Sequence, residues 1–273
     1  MKKIVPFSLI ALAFTACINN NRSSEENAPE NIYATPPANI AYTITNVYPH
    51  DTSSFIEGLE FHGGRLLEST GDPDYTGKSK LAFIDLKTGK DIQKINLDKQ
   101  YFGEGCTLLN GKIYQLTYKE QKCFVYDAQT FKKINEFTYD GEGWGMTNDG
   151  KQIIMDNGSN NLYYRDPETF KITKTVGVID NNGAVANINE LEYVGGYIYA
   201  SMYKTEYDKV IKIDPETGKV IGTLDFTGLL AQYAQPEEMK SRDVCNGIAY
   251  DSTSKKFYIT GKNWPKLFEF IIK

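Results

Sequence analysis

Glu104 stands between two glycines in the run "YFGEGC", and Glu57 precedes a third in "FIEGLEF". A carboxylate in such a place is either a solvated loop charge or a group aimed at a reactant. The glycines beside it allow close backbone approach. Two carboxylates held near one another raise each other's proton affinity, which suits general acid–base chemistry at neutral pH. Two carboxamides accompany them, Asn189 in "NELEY" and Asn246 in "NGIAY", with Lys262 in "TGKNWP" and aromatics at Phe55, Phe102, Tyr118, Trp144, Tyr203 and Trp264. The chain has 2 histidines, His50 and His62, which argues against a histidine-rich zinc site and leaves few bases for a nucleophilic triad. His62 reads as a surface residue of a hairpin turn, and His50 as a flank of the first repeat.

A repeat must position these residues. The segments "EGLEFHGGRLLESTG", "EGCTLLNGKIYQLTYK", "WGMTNDGKQIIMDNG", "NELEYVGGYIYASMYK" and "NGIAYDSTSKKFYITGK" share one plan: a short strand, a turn and a second alternating strand. In four of them a third strand follows and ends in "DLKTGK", "DAQTFK", "DPETFK" or "DPETGK", a tight turn into a fourth strand. Four short antiparallel strands per unit describe a propeller blade, because no unit buries both faces alone. The expected fold is all-β, a five-bladed β-propeller. The fifth copy runs out of chain after "KLFEFIIK", and "IAYTITNVYP" supplies its missing strand, closing the ring non-covalently.

In that geometry the residues ahead of each inner strand converge on one mouth: Glu57, Glu104, Trp144, Asn189 and Asn246. The ends of the second strands are expected to add Glu68, Tyr118, Asp156, Tyr203 and Lys262, with Trp264 following. Together they make a polar cup with aromatic walls. The same groups could also fill the channel as a satisfied hydrogen-bond network, with the aromatics as packing.

The N-terminus, "MKKIVPFSLIALAFTAC", has two lysines and an apolar run too short for a permanent membrane span, as in a secretory leader. "FTAC" resembles a bacterial lipobox, so residues 1–16 read as a lipoprotein signal peptide and Cys17 as the lipidated residue. Residues 17–39 read as a flexible tether and 40–273 as the propeller. This implies a lipid-anchored protein of the cell envelope, periplasmic or surface-exposed. The formal net charge is −5, with no basic block, which disfavours nucleic acid as a partner. Past Cys17 come Cys106, Cys123 and Cys245, an odd set at irregular spacing. One bridge between Cys106 and Cys123 is an option; buried free thiols are the expectation.

The motifs "FIEGLEF", "YFGEG", "QLTYKE", "GEGWGMTNDG", "NINELEY", "NGIAYD" and "TGKNWPKLFEF" resemble, in order, those of the plant and bacterial type of glutaminyl-peptide cyclotransferase, or glutaminyl cyclase. The likeness runs from about Tyr48 to the C-terminus. It implies a five-bladed propeller that converts an N-terminal glutamine into pyroglutamate with loss of ammonia, unrelated to the animal-type zinc enzyme. It implies no cofactor, and peptides or proteins with N-terminal glutamine as partners; nothing in the sequence points to an obligate partner chain, and a monomer is the expectation. Carried over by motif, Glu104 is the catalytic acid–base with Phe102 beside it; Trp144, Asn189 and Lys262 hold the substrate; Phe55 forms a wall. Glu57 departs from the family's usual glutamine, and Tyr118 and Tyr203 stand where tryptophan is common. Two other readings fit the same cup: a calcium-dependent lactonase-like propeller, and a non-catalytic surface propeller that binds peptides or glycans.

Overall fold

The computed structural model describes residues 34–203, 208–240 and 242–273. The leader, Cys17 and most of the expected tether lie outside the described residues. Blade one is built from Phe55–His62, Arg65–Gly71, Lys80–Asp85 and Lys90–Asn96. Blade two comprises Gly103–Leu109, Lys112–Thr117, Lys122–Asp127 and Lys133–Thr138. Met146–Asn148, Ile153–Met155, Asn161–Arg165 and Ile172–Gly177 form blade three. Blade four has Ile188–Val194, Tyr197–Met202, Lys209–Ile213 and Val220–Asp225. Blade five has Cys245–Asp251, Lys256–Gly261 and Lys266–Ile272, and its outer strand is Tyr42–Pro49 from the other end of the chain. That strand pairs antiparallel with Lys266–Ile272 from Tyr42↔Ile272 to Pro49↔Lys266, closing the ring as the repeat count requires.

The turn chemistry is local and repeated. Asp85, Asp127 and Asp166 each accept the amide of the threonine three residues on, at 2.8–2.9 Å. The next residue turns with positive φ: Gly89 and Gly218 in two blades, but Phe131 and Phe170 in the others. A side chain is strained there. Both phenylalanines are buried between blades, Phe131 on Phe83 and Phe170 stacked on Phe137, and this packing offsets the strain.

Side chains staple neighbouring inner strands along the axis. Glu60 accepts the Leu108 amide at 3.0 Å, Thr147 the Tyr193 amide at 3.0 Å, and Glu192 the Tyr250 amide at 2.8 Å. These positions are equivalent in the repeat, three residues after Glu57, Trp144 and Asn189. Glu190 bridges across the axis, accepting from Leu59 at 3.2 Å and Ile248 at 2.6 Å. Its burial raises its pKa well above the carboxylate range, although both amides work the other way.

Three features lie outside the repeat plan. Ala38 and Asn39, at the end of the expected tether, pair in parallel with the outer strand of blade four. A two-stranded ribbon, Ile179–Asp180 with Gly183–Ala184, separates blades three and four. The insert after blade four forms two 3-10 turns, at Leu230–Gln232 and Pro236–Met239. Cys106, Cys123 and Cys245 are buried free thiols.

Candidate active site

One cavity opens at the mouth of the ring, with about 210 Å³ accessible to water, lined by Phe55, Glu57, Pro73, Phe102, Glu104, Tyr118, Trp144, Asn189, Tyr203 and Lys262. Its floor is built from backbone irregularities. Pairing between the inner strand and its neighbour skips at Ile56/Gly58, Gly103/Cys106, Ile188/Leu191 and Cys245/Ile248. Glu57, Glu104, Asn189 and Asn246 therefore sit in β-bulges, which break the alternation of the strand and re-aim a side chain.

The glycines around Glu104 serve close packing. A Cβ on Gly103 would lie 2.6 Å from the Thr70 carbonyl oxygen, and one on Gly105 would lie 2.5 Å from that of Trp144. Neighbouring blades then hold the peptide of Glu104 on both sides. Ser69 Oγ donates to the Glu104 carbonyl at 2.5 Å, and the Gly105 amide donates to the Trp144 carbonyl at 2.8 Å.

Lys262 Nζ lies 2.5 Å from Glu57 Oε1, with both side chains buried. Burial works to lower the Lys262 pKa, but Glu57 and Glu104 outweigh it and keep the ammonium charged. Its charge also faces the Phe55 ring at 4.5 Å and the Tyr203 ring at 5.1 Å. Glu57 and Glu104 line the same cavity from adjacent blades, and a Cβ on Gly58 would lie 3.1 Å from Gly105 Cα. Burial first, and the Glu57 charge second, push Glu104 well above the usual carboxylate range. Burial also raises Glu57, against the pull of Lys262.

The aromatic wall packs edge to face and tilted: Trp144 on Tyr203 at 5.4 Å, Phe55 on Phe102 at 6.1 Å, Phe102 on Tyr118 at 5.8 Å. Trp144 Nε1 donates to Glu142 at 3.0 Å, which sets the indole plane. Asn189 is almost fully buried, and its Oδ1 has no hydrogen-bond partner among the described residues. Asp156 Oδ2, behind Gly145, is likewise unpartnered, and burial raises this carboxyl well above its usual range.

Four residues expected in the cup stand elsewhere. Asn246 is fully buried behind Glu57, donating to the Ile56 carbonyl at 2.8 Å and to Glu57 Oε2 at 3.4 Å while accepting from Ser201 at 2.6 Å. Trp264 is also fully buried; its Nε1 donates to the Asp243 carbonyl at 2.9 Å and its ring packs on Phe268. The turn after Gly261, closed by the Trp264 amide on the Gly261 carbonyl at 3.0 Å, folds the indole back onto that glycine. Glu68 lies mid-strand opposite Leu59, bonded to His50 and Ser54 at 2.8 Å each. Asp156 ends its strand as expected, but Trp144 and Gly145 lie between it and the cavity.

The position that matches Tyr118 in blade one is Asp72, because that second strand runs on to Gly71. The Asp72 carboxylate accepts from Thr76 and Lys78 and folds the loop that puts Pro73 on the cavity wall. The "GDP" turn signal marked that strand end in the sequence. Glu60, Glu190 and Glu192 also escaped the sequence reading, since alternating acids on a strand look like a solvated face.

Among the described residues no group of three or more His, Cys, Asp or Glu side chains is placed to hold a metal ion. Glu57 at the mouth is engaged with Lys262 and Asn246.

Known proteins share both sequence and shape with this chain. A model of the glutamine cyclotransferase family matches residues 9–272. Glutaminyl-peptide cyclotransferase of Arabidopsis thaliana is 35% identical over 228 residues, 83% of this chain and 69% of its own length. The crystal structure of Myxococcus xanthus glutaminyl cyclase superposes with a TM-score of 0.77 at 32% identity, over 87% of this chain and 98% of that one. With its propeller, its mouth and its motifs in agreement, the chain belongs to the glutamine cyclotransferase family.

Proposed function

We propose that the cavity converts the N-terminal glutamine of peptides into pyroglutamate with release of ammonia, and that Glu104 carries the proton. The observation behind the mechanism is the convergence of Glu104, Asn189, Lys262 and Trp144, from four different blades, on one small cavity.

Cyclisation is intramolecular: the α-amine attacks the side-chain carboxamide carbon, so folding the glutamine side chain back supplies the proximity gain. The aromatic wall of Phe55, Phe102, Tyr118, Trp144 and Tyr203 confines that folded shape and limits water. An α-amine has a pKa of about 8 and is mostly protonated at neutral pH. Ionised Glu104 takes one of its protons. The lactam C–N bond then forms as the bond to the carboxamide nitrogen breaks, and Glu104 gives its proton to the leaving nitrogen. It takes the surplus amine proton next and passes it to the ammonia, which leaves as ammonium. Lys262 and the Asn189 amide stabilise the carboxamide oxygen as it gains charge, and the unpartnered Asn189 Oδ1 is an acceptor for a substrate N–H.

Incubating the purified protein with Gln-Ala or Gln-β-naphthylamide, with and without chelator, tests this. Ammonia release indifferent to chelator is expected. Ligand saturation without product would overturn the reading, and loss of activity with calcium removed would favour a lactonase-like site.

The leader and "FTAC" support a location at the cell envelope, with Cys17 lipidated and the propeller tethered to a membrane face. Cys17→Ser should then move the protein to the soluble fraction; retention in membranes would refute the anchor.

A further inference from the structure

Among the described residues, Glu57 is the one acid lining the cavity with a fixed cation. Lys262 Nζ holds its Oε1 at 2.5 Å, and Asn246 Nδ2 stands 3.4 Å from its Oε2. Glu104 lines the same cavity from the adjacent blade, where a Cβ on Gly58 would lie 3.1 Å from Gly105 Cα. Two ionised carboxylates so close in a buried site repel, so the pair retains one proton. Lys262 makes Glu57 the better anion, and the shared proton belongs mainly to Glu104.

We propose that Glu57 and Glu104 form a proton-sharing carboxyl pair in which Glu57 is a positioning residue that governs when Glu104 can act as base. The proposal rests on the cyclase reading and deepens it. Before Glu104 can accept a proton from the substrate's α-ammonium, the pair must release the one it shares. The step balances: the pair loses one proton to solvent, Glu104 then takes one from the ammonium nitrogen, and no other co-reactant is required.

The groups facing the pair come from every surrounding element. Glu57 and Lys262 act on Glu104 from blades one and five, Asp156 from blade three, and Asp243 acts on Glu57 from the rim. The phenols of Tyr75 and Tyr139 also feel the Glu104 charge. Two effects of Glu57 push in one direction. Its own charge opposes ionisation of Glu104, and it neutralises Lys262, which would otherwise favour it. A glutamine at this position keeps the shape and removes both.

Glu57→Gln is the test, with two readouts. First, the acid limb of the kcat/KM profile for a glutamine peptide should move to lower pH by about one unit or more relative to the wild type. Second, the infrared carboxyl band that Glu104→Gln removes should disappear on titration at correspondingly lower pH in Glu57→Gln. Coincident limbs and coincident band titrations would overturn the proposal while leaving the cyclase reading intact. If the wild type releases no ammonia, the cyclase reading fails, and the infrared titration still decides the pair. If Glu57→Gln alone is inactive, the infrared titration again decides it.

Discussion

Glu57 and Lys262 are separated by most of the chain, yet their charged atoms meet at 2.5 Å across the seam between the first and last blades. The pair is part of the cavity wall and also a brace on ring closure. Removing one partner strands the other charge in a buried site, which typically costs about 3–5 kcal/mol. Lys262→Met should therefore lower stability to chemical denaturation by roughly that amount and abolish measurable turnover. The double variant Glu57→Gln/Lys262→Met should regain most of the stability but not the activity. Equal stability of the single and double variants would show that the pairing is incidental.

Glu104→Gln removes the proton carrier and keeps the size of the side chain. A loss of roughly 10²–10⁴ in kcat/KM is expected, with an unchanged circular dichroism spectrum. Turnover close to the wild type would assign the acid–base role elsewhere.

The two tryptophans should behave in opposite ways. Trp144 lines the cavity on Tyr203, whereas Trp264 is fully buried. Trp264→Ala leaves a large void and should cost about 3–5 kcal/mol of stability. Trp144→Ala should leave the unfolding midpoint nearly unchanged and raise KM for the glutamine peptide. A thermal scan beside a kinetic assay separates them, and similar destabilisation by both would contradict this division.

His50 donates a pH signature to folding. It is buried between Glu68 Oε2 and the Trp264 carbonyl, each at 2.8 Å. Burial works to lower its pKa, but the Glu68 charge outweighs it and raises the folded value above 6.5. That contribution is complete below pH 6.5 and is lost as pH rises through the folded value. Burial works to raise Glu68, but His50 and Lys80 hold it below 4.5, so its contribution is present above pH 4.5 and is lost on further acidification. The stability advantage of the wild type over His50→Gln should peak between pH 4.5 and 6.5 and shrink toward alkaline pH. Urea melts across pH would show this, and a difference that grows with pH would refute it.

The sequence by itself determined the propeller, its five blades and the order in which they close. Those features rest on short-range physics: alternation along each strand, and turns in which an aspartate binds an amide a few residues on. The same repeat marked Glu57, Glu104, Trp144 and Asn189 as equivalent positions ahead of inner strands. Tertiary structure alone decided which equivalents reach the cavity. Asn189 and Asn246 occupy matching bulges, yet one lines the mouth and the other braces Glu57 from behind. Glu68 and Asp72 differ only in where a strand ends; the local "GDP" turn marks that end at Gly71, while alignment of the repeats puts it at Glu68. The pairing of Glu57 with Lys262 and Glu104 likewise depends on the ring being closed, because proximity across a seam is a property of the assembled sheets and not of either segment.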